Sequence, residues 1–521
     1  MRMVKLFKEW KWVILFGFLI LLIALGIRLY NLTLLPVFTD EAIYVRWSQV
    51  MRAEPTLRFL PLSDGKQPLY MWLVIPFFKI FTDPLLAGRM VSVLAGVGTL
   101  IGIFVLGYLL FKSKKAALIS SLIYAISPFS FFFDRMALAD SLLSFFGIWI
   151  AILGYLTITF ARLDLAMITG FLLGGALLTK SPALFFTLLL PTLGVFAQFP
   201  KGKKEIILHL AKLVGLYGVI LLIGYGMYQI LRLGPNFQMI ALRNQDYVYP
   251  ISHILTSFKD PLKPFLIRAW EWLVILGPWT VLVLALFGII LNVKSHLRSI
   301  LILFLWFFIP IFVQSEFGKV FTARYIFFTL PYLFLLAGSA FLVKNKILKI
   351  VLTITIFVFT LLSFKNDYFL LTQPELANLP RSERSGYLEE WTAGYGNKEI
   401  ADYLIKFSQA NPNEKLVVGT EGYFGTLPDG LLIYTTNYSN IVVIGQDFPV
   451  KEVSKNLYDS RKAGNFTYLV VNSDRFWMNN PKELTLLAVY PKAVRPDGSR
   501  ETLYFFEVNN EILRKVPKAK L

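Results

Sequence analysis

The chain has 521 residues, 56% of them hydrophobic and only 16% charged. A soluble globular domain carries roughly a quarter charged residues, so this chain lacks the charge to cover a globular surface, and its apolar content excludes a disordered one. The formal charge of +19 sits in short basic clusters between long apolar runs, which is how a membrane protein arranges its cytoplasmic connections rather than how a nucleic-acid surface is built.

A membrane span needs roughly 20 mostly apolar residues, and about eleven runs qualify. In chain order they are Trp12–Leu29, Leu85–Phe111, Ala116–Phe133, Ser141–Phe160, Leu165–Leu178, Pro182–Phe199, Ile207–Leu231, Trp270–Leu291, Ile300–Val313, Tyr325–Val343 and Ile347–Phe364. The first is followed by no small-residue cleavage site and reads as a retained anchor. Pro68–Phe81 is apolar too, but it is short and holds a proline and a lysine, so it reads as an interfacial helix.

With that segment left out, alternate connections separate into a basic set and a poorer one. The basic, cytoplasmic set is Lys5/Lys8/Lys11, Lys112/Lys114/Lys115, Arg162, Lys201/Lys203/Lys204, Lys294/Arg298 and Lys344/Lys346/Lys349. The N-terminus is then cytoplasmic and everything after Phe364 lies outside. Trp10, Trp12, Tyr30, Trp270, Trp272 and Trp279 read as interfacial belt residues.

Two outside loops are long, Tyr30–Pro84 and Arg232–Ala269, and such loops in a compact membrane domain are usually functional. Within the first, Ile43, Trp47 and Val50 recur at helical spacing in Asp40–Arg52, which predicts a short amphipathic helix on the membrane surface with Thr39 or Asp40 as its N-cap.

From about Lys365 the composition turns polar. Residues 1–364 form the predicted membrane domain, 365–396 a linker, and 397–521 a small α/β domain outside the membrane. In the last, Asn397–Gln409 and Val450–Ser460 read as helices. Lys415–Gly419, Leu431–Tyr434, Ile441–Ile444, Tyr468–Val471, Leu486–Tyr490 and Thr502–Val508 read as strands. Gly419–Gly425 reads as a strand-ending turn, not a phosphate loop.

The absence of cysteine excludes disulfides, thiolate metal sites and a cysteine nucleophile, and the three histidines, His209, His253 and His296, show no metal-ligand spacing. The chemistry therefore falls to carboxylates and basic residues on the outer face. Asp40-Glu41 opens the predicted surface helix; a carboxylate there serves as general base for an acceptor hydroxyl or as ligand to a divalent cation, against the plainer reading of a helix cap. Asp134-Arg135 and Asp140 fall on the same face, with a local ion pair and an N-cap as the plain reading. The outer-face cations are Lys66, Arg89, Lys180 and Arg324, suited either to a phosphate at the lipid surface or to snorkelling toward headgroups. Glu316 and Lys319 are weaker candidates.

Several short motifs in this order resemble the C-type (GT-C) integral-membrane glycosyltransferases, most closely the protein O-mannosyltransferase-like family 39 and the lipid A aminoarabinose transferases. They are Phe38-Thr39-Asp40-Glu41-Ala42 with Tyr44, Gly65-Lys66-Gln67-Pro68-Leu69-Tyr70, Ala87-Gly88-Arg89, Arg135 to Asp140, Leu178-Thr179-Lys180, and Arg324-Tyr325 followed by Pro331. The resemblance implies a GT-C fold that transfers a sugar, with inversion, from a polyprenyl-phosphate carrier to a protein, lipid or glycan acceptor outside the cytoplasm. It implies Asp40 as the catalytic carboxylate with Glu41 and Asp140 assisting. Lys66, Arg89, Lys180, Arg324 and Tyr325 then form the donor site, and Asp40 and Asp140 are the ligands of any divalent metal. Two positions depart from the family pattern: Gln67 stands where a proline is usual, and Ile43 where the aminoarabinose enzymes carry an arginine. A transporter or lipid-carrier flippase is the competing class. Such proteins carry internal repeats and midplane charges, whereas this chain shows no repeat and its charges sit at span ends.

Overall fold

A computed structural model describes residues 2–479 and 481–514, with side chains from Glu9 onward, so the side chains of Lys5 and Lys8 and residues 515–521 of the predicted outer domain lie outside the described residues. The chain divides into two compact units, each assembled from separated pieces. One comprises Met1–Leu32, Glu54–Leu73 and Arg89–Pro380; the other comprises Thr33–Ala53, Val74–Gly88 and Arg381–Leu521.

The first unit is a polytopic helical membrane domain. Among the described residues, seven helices are long and apolar enough to cross a membrane: Glu9–Leu29, Pro84–Phe111, Ala139–Phe160, Lys203–Leu233, Leu297–Phe317, Ala323–Leu342 and Lys346–Thr372. Two broken pairs raise the number to 9: Lys114–Ile126 with Pro128–Asp134, bent by 59°, and Leu262–Ile275 with Trp279–Asn292, bent by 101°. Leu163–Thr179 and Ser181–Phe196 are shorter apolar helices, as is Leu69–Lys79, the segment expected to lie at the interface. Every apolar run of the sequence is thus helical. The count stays below eleven because Leu163–Thr179 and Ser181–Phe196 are short, and the two pairs are broken at Pro128 and Pro278, where proline supplies no backbone N–H to continue a helix. The predicted span Trp270–Leu291 is corrected to a sharp corner, and Trp272, read as a belt residue, is buried against Phe321, their rings 5.0 Å apart.

Helix Ala323–Leu342 is central, with 89% of its apolar window buried, whereas Glu9–Leu29, Lys203–Leu233 and Lys346–Thr372 have 17% buried and turn apolar side chains outward, as lipid-facing helices do. Helices Leu163–Thr179 and Lys203–Tyr228 approach closely along Gly170 and Gly174. A Cβ on Gly174 would stand 2.7 Å from the Met227 Cβ, so a side chain there would push the two helices apart.

In the second unit five strands form one sheet in the order β2-β1-β3-β5-β4. They are β1 (Leu416–Glu421), β2 (Ile441–Gln446), β3 (Phe466–Asn472), β4 (Leu484–Pro491) and β5 (Thr502–Val508). The first three are parallel; β5 runs antiparallel to β3 and β4. The alternation of strand side chains divides the core into two layers. Leu416, Val418, Tyr468, Val470 and Phe505 pack with Ile400, Leu404 and Leu431 on one face, while Val417, Leu469, Val471 and Phe506 pack with Leu457 on the other. Leu431–Tyr434, expected as a strand, lies in helix Thr426–Thr435; a four-residue apolar run has no period by which to tell helix from strand. The helix expected over Val450–Ser460 is Lys455–Lys462.

Helix Thr39–Ala53 belongs to this second unit. Its buried side chains include Ile43, Tyr44, Trp47 and Met51; Gln49 donates to the Ile433 carbonyl of helix Thr426–Thr435, and Trp47 lies on Phe424 just before that helix, rings 5.6 Å apart. The apolar stripe assigned to a membrane surface therefore has a protein partner.

Candidate functional site

The membrane unit brings four of the predicted segments together. The turn Leu60–Asp64 ends on Gly65, whose φ of +68° is a left-handed conformation that glycine adopts without strain. A Cβ there would also stand 2.7 Å from Arg243, so the glycine is needed twice. Lys66 then projects beside Asp64 at 3.3 Å, and the other Asp64 oxygen accepts from Arg243 at 2.8 Å. Gln67, the departure from the family pattern, donates its amide to the Ser181 hydroxyl at 2.9 Å, tying this segment to the one that carries Lys180.

Lys180 follows directly on helix Leu163–Thr179 in an extended conformation with φ of −163°. Its ammonium lies 2.6 Å from an Asp140 oxygen and 4.7 Å from the centre of the Tyr325 ring; the Arg324 guanidinium lies 5.7 Å from the same ring centre. Asp140 sits in the first turn of helix Ala139–Phe160, where the helix dipole favours a carboxylate. Lys180, Arg324, Tyr325 and Asp140 thus form one cluster, a pair of cations on a tyrosine face with one carboxylate.

The second long loop closes on this region. Val248 bridges Gly318, and the Tyr249 N–H donates to the Phe317 carbonyl at 2.7 Å, which joins the loop to the segment leading into Arg324. Burial raises the Tyr247 hydroxyl above its ordinary pKa, opposed by the nearby charges of Lys66 and Arg243. Lys319 donates to the Gln245 carbonyl at 2.6 Å, and Glu316 is buried in its helix. The sequence reading missed Asp64, Arg243 and Tyr247; their place in the two long outside loops was their only signal.

Arg89 is buried, and its guanidinium donates to the Leu32 carbonyl at 2.7 Å. The local Asp134–Arg135 ion pair is corrected. Asp134 pairs with the buried Arg28 at 3.0 Å and accepts from the Tyr124 hydroxyl at 2.9 Å. Arg135 instead donates to the carbonyls of Ile27, Arg28, Tyr30 and Asn31, at 2.7, 3.0, 2.7 and 2.8 Å, and so gathers the frayed end of the first membrane helix. Adjacent residues project differently at a helix end, so a charge alternation in sequence is no guide to pairing.

Asp40 and Glu41 belong to the second unit. The helix starts at Thr39, so neither Thr39 nor Asp40 is its N-cap; Glu41 is fully buried and its carboxylate reaches back to accept from the Phe38 N–H at 3.0 Å, closing the helix N-terminus. Asp40, one residue earlier, is half-buried. Asp40, Asp140 and the cations thus have distinct local settings: a helix N-terminus in the second unit, and the cation–tyrosine cluster in the first.

Among the described residues, one acidic set is close enough to share a cation: Glu390, Asp474 and Glu501 in the second unit. The Arg495 guanidinium already serves all three, at 3.0, 2.6 and 3.4 Å. Neither Asp40 nor Asp140 belongs to such a set.

Residues 65–225 match the family model described as dolichyl-phosphate-mannose-protein mannosyltransferase. No curated protein sequence matches the chain. Among solved structures it is similar to ArnT from Cupriavidus metallidurans in the apo state, with TM-score 0.57 and 14% identity over 98% of this chain and 100% of that one. ArnT bound to undecaprenyl phosphate gives TM-score 0.57 and 15% identity, over 95% and 98% of the two chains. The archaeal oligosaccharyltransferase AglB from Archaeoglobus fulgidus, in complex with an inhibitory peptide and a dolichol-phosphate, gives 0.52 and 12%, over 98% of this chain and 75% of that one. The fold is that of the GT-C membrane glycosyltransferases, as the sequence motifs led one to expect, and the matched family segment contains the Gly65-Lys66-Gln67-Pro68 and Thr179-Lys180 motifs.

Proposed function

We propose that this chain, a multi-pass membrane protein with the GT-C glycosyltransferase fold and a mannosyltransferase-family segment, transfers a sugar from a polyprenyl-phosphate carrier to an acceptor on the outer membrane face. The observation that carries the reading is the cation–tyrosine cluster of Lys180, Arg324 and Tyr325 with Asp140, joined through Gln67 and Ser181 to Lys66. The leaving group of such a reaction is a phosphate ester, which needs little proton donation but does need cations where its charge develops. Lys66, Lys180, Arg243 and Arg324 supply them, and Tyr325 orients two of the four. The lipid tail of the carrier explains why this cluster is built from residues at the ends of apolar helices.

Asp40 is the carboxylate that takes the acceptor's proton, and inversion at the sugar carbon follows from a single displacement. Glu41 holds the helix start that presents Asp40. Arg89, bound to the Leu32 carbonyl, supports the chain at the start of the first loop. The N-terminus is cytoplasmic and residues beyond 364 lie outside, so that the lysine clusters face the cytoplasm.

The test uses the purified full chain with a panel of polyprenyl-phosphate sugars. Asp40→Asn retains size but cannot accept a proton; its transfer rate should fall on the order of 10²–10⁴ while undecaprenyl phosphate still binds. Near wild-type turnover by this variant refutes Asp40 as the base. Loss of wild-type activity with a chelator makes Asp40 a metal ligand instead. No turnover with any lipid-linked sugar favours the transporter class.

A further inference from the structure

The second unit joins two stretches of chain far apart in sequence, and the junction falls on the residues immediately before Asp40. Phe38 and Ala393 form an antiparallel bridge: the Thr39 N–H donates to the Thr392 carbonyl at 3.1 Å and the Gly394 N–H donates to the Val37 carbonyl at 2.9 Å. The Phe38 ring lies on Tyr387, centroids 4.3 Å apart. Two glycines make the fit tight. A Cβ on Gly394 would stand 2.6 Å from the Val37 carbonyl oxygen, and one on Gly425 would stand 3.0 Å from the Thr39 hydroxyl at a backbone φ of +115°, which disfavours any other residue. Gly425 is itself fixed, because its N–H donates to the buried Asp429 carboxylate at 2.8 Å. Further along the helix, Arg46 donates to the Thr436 hydroxyl at 2.8 Å and Gln49 to the Ile433 carbonyl at 2.7 Å.

At Val37, Thr39 and Gly394 these contacts fix the backbone itself, and at Phe38, Arg46 and Gln49 they tie side chains to the same part of the chain. They run along the first helix from Val37 to Gln49, and their partners all come from residues 381–521. A surface needed only for solubility or for binding something else has no reason to concentrate there.

We infer that the C-terminal α/β fold is a positioning clamp for the catalytic carboxylate: residues 387–394 and 425–436 fix the start and direction of the helix that carries Asp40. The inference rests on Asp40 being the base. Its residues are positioning residues, since none of them reaches reacting atoms. A reacting group misplaced by about 1 Å can cost on the order of 10²-fold in rate, so small shifts in the clamp should appear in kcat.

The experiment compares Gly394→Ala and Gly425→Ala with Leu457→Ala, which weakens the opposite layer of the same sheet, all in the full chain. Hydrogen exchange of the peptides covering 36–42 and 390–396 measures the clamp without reference to activity. In wild type, the two peptides should open together. In the glycine variants both should exchange faster, kcat should fall tenfold to a hundredfold, and the affinity for undecaprenyl phosphate and the donor KM should stay unchanged. Leu457→Ala should leave kcat of the folded protein at the wild-type value.

A second variant guards against misfolding. Phe38→Cys with Ala393→Cys, in a chain that has no other cysteine, can be closed by oxidation, and turnover should survive closure. Wild-type kcat in Gly394→Ala with raised exchange overturns the inference, as does loss of turnover on closing the disulfide, which would make the contact a lid that must open. Full activity in Asp40→Asn would remove the base assignment instead. The exchange of 36–42 would then still decide whether the clamp exists, and independent opening of the two peptides would overturn it.

Discussion

The pair Lys180–Asp140 offers a sharp separation of structural and functional charge. Its atoms stand 2.6 Å apart, with the Asp140 side chain 5% exposed and that of Lys180 20% exposed. Replacing Lys180 by Met leaves Asp140 as an uncompensated buried charge. Breaking a buried pair from one side costs roughly 3–5 kcal/mol, and the partial exposure of Lys180 puts this pair at the low end. If Lys180 also contacts the carrier phosphate, a further charge-assisted bond of roughly 1.5–3 kcal/mol is lost, which is about tenfold to a hundredfold in affinity. The two losses part in the double variant Lys180→Met with Asp140→Asn. Removing both charges should restore most of the thermal stability in detergent. It should not restore affinity for undecaprenyl phosphate, measured by titration calorimetry. A double variant that binds carrier as wild type does would show Lys180 to be only the counter-ion of Asp140.

The topology is open to a direct check: in this cysteine-free chain, Lys201→Cys in intact cells should resist an impermeant thiol reagent and Ser382→Cys should react, and the reverse pattern would turn the protein over in the membrane. Burial pushes the Asp429 carboxyl up to about 6, opposed by its bond from the Gly425 N–H and by Arg46. The raised value means the folded state holds the proton more tightly than the unfolded one, so this group's contribution to stability falls as pH rises from about 4 through 6, by about 3 kcal/mol at roughly 1.4 kcal/mol per pH unit. Asp429→Asn should therefore stabilise the second unit at neutral pH and lose that advantage below pH about 4; a melting difference that does not change with pH would show that Asp429 is not the titrating group.

The sequence made the elements legible and left the pairings hidden. Pro68–Phe81 was separable from the spans by length alone, and β1, β3 and β5 by their apolar, β-branched runs. Lys180 and Asp140 were each visible as outer-face charges, but 40 positions of chain separate them, and nothing local says that they meet. Asp64 and Arg243 carried no signal because polar residues are ordinary in long loops. Arg28 did carry one: a charge inside an apolar run is costly and asks for a partner, which the structure provides in Asp134. The stripe of Ile43, Trp47 and Val50 marked an amphipathic helix correctly, yet amphipathicity does not say whether lipid or protein covers the apolar side.

The interleaving of the two units has a consequence for biosynthesis. Helix Thr39–Ala53 is made early, whereas the α/β part of its unit begins at Arg381, roughly 330 residues later. At roughly 5–20 residues per second, the ribosome takes on the order of tens of seconds to supply it. Through that interval Ile43 and Trp47 await the α/β part of their unit, and an amphipathic helix of this kind is well suited to wait in the lipid headgroup layer. The nascent chain is thus expected to keep this helix on the membrane surface until its α/β partner is made. Chains halted before residue 381 should shield this helix from protease only when membranes are present, while full-length chains should shield it in detergent as well.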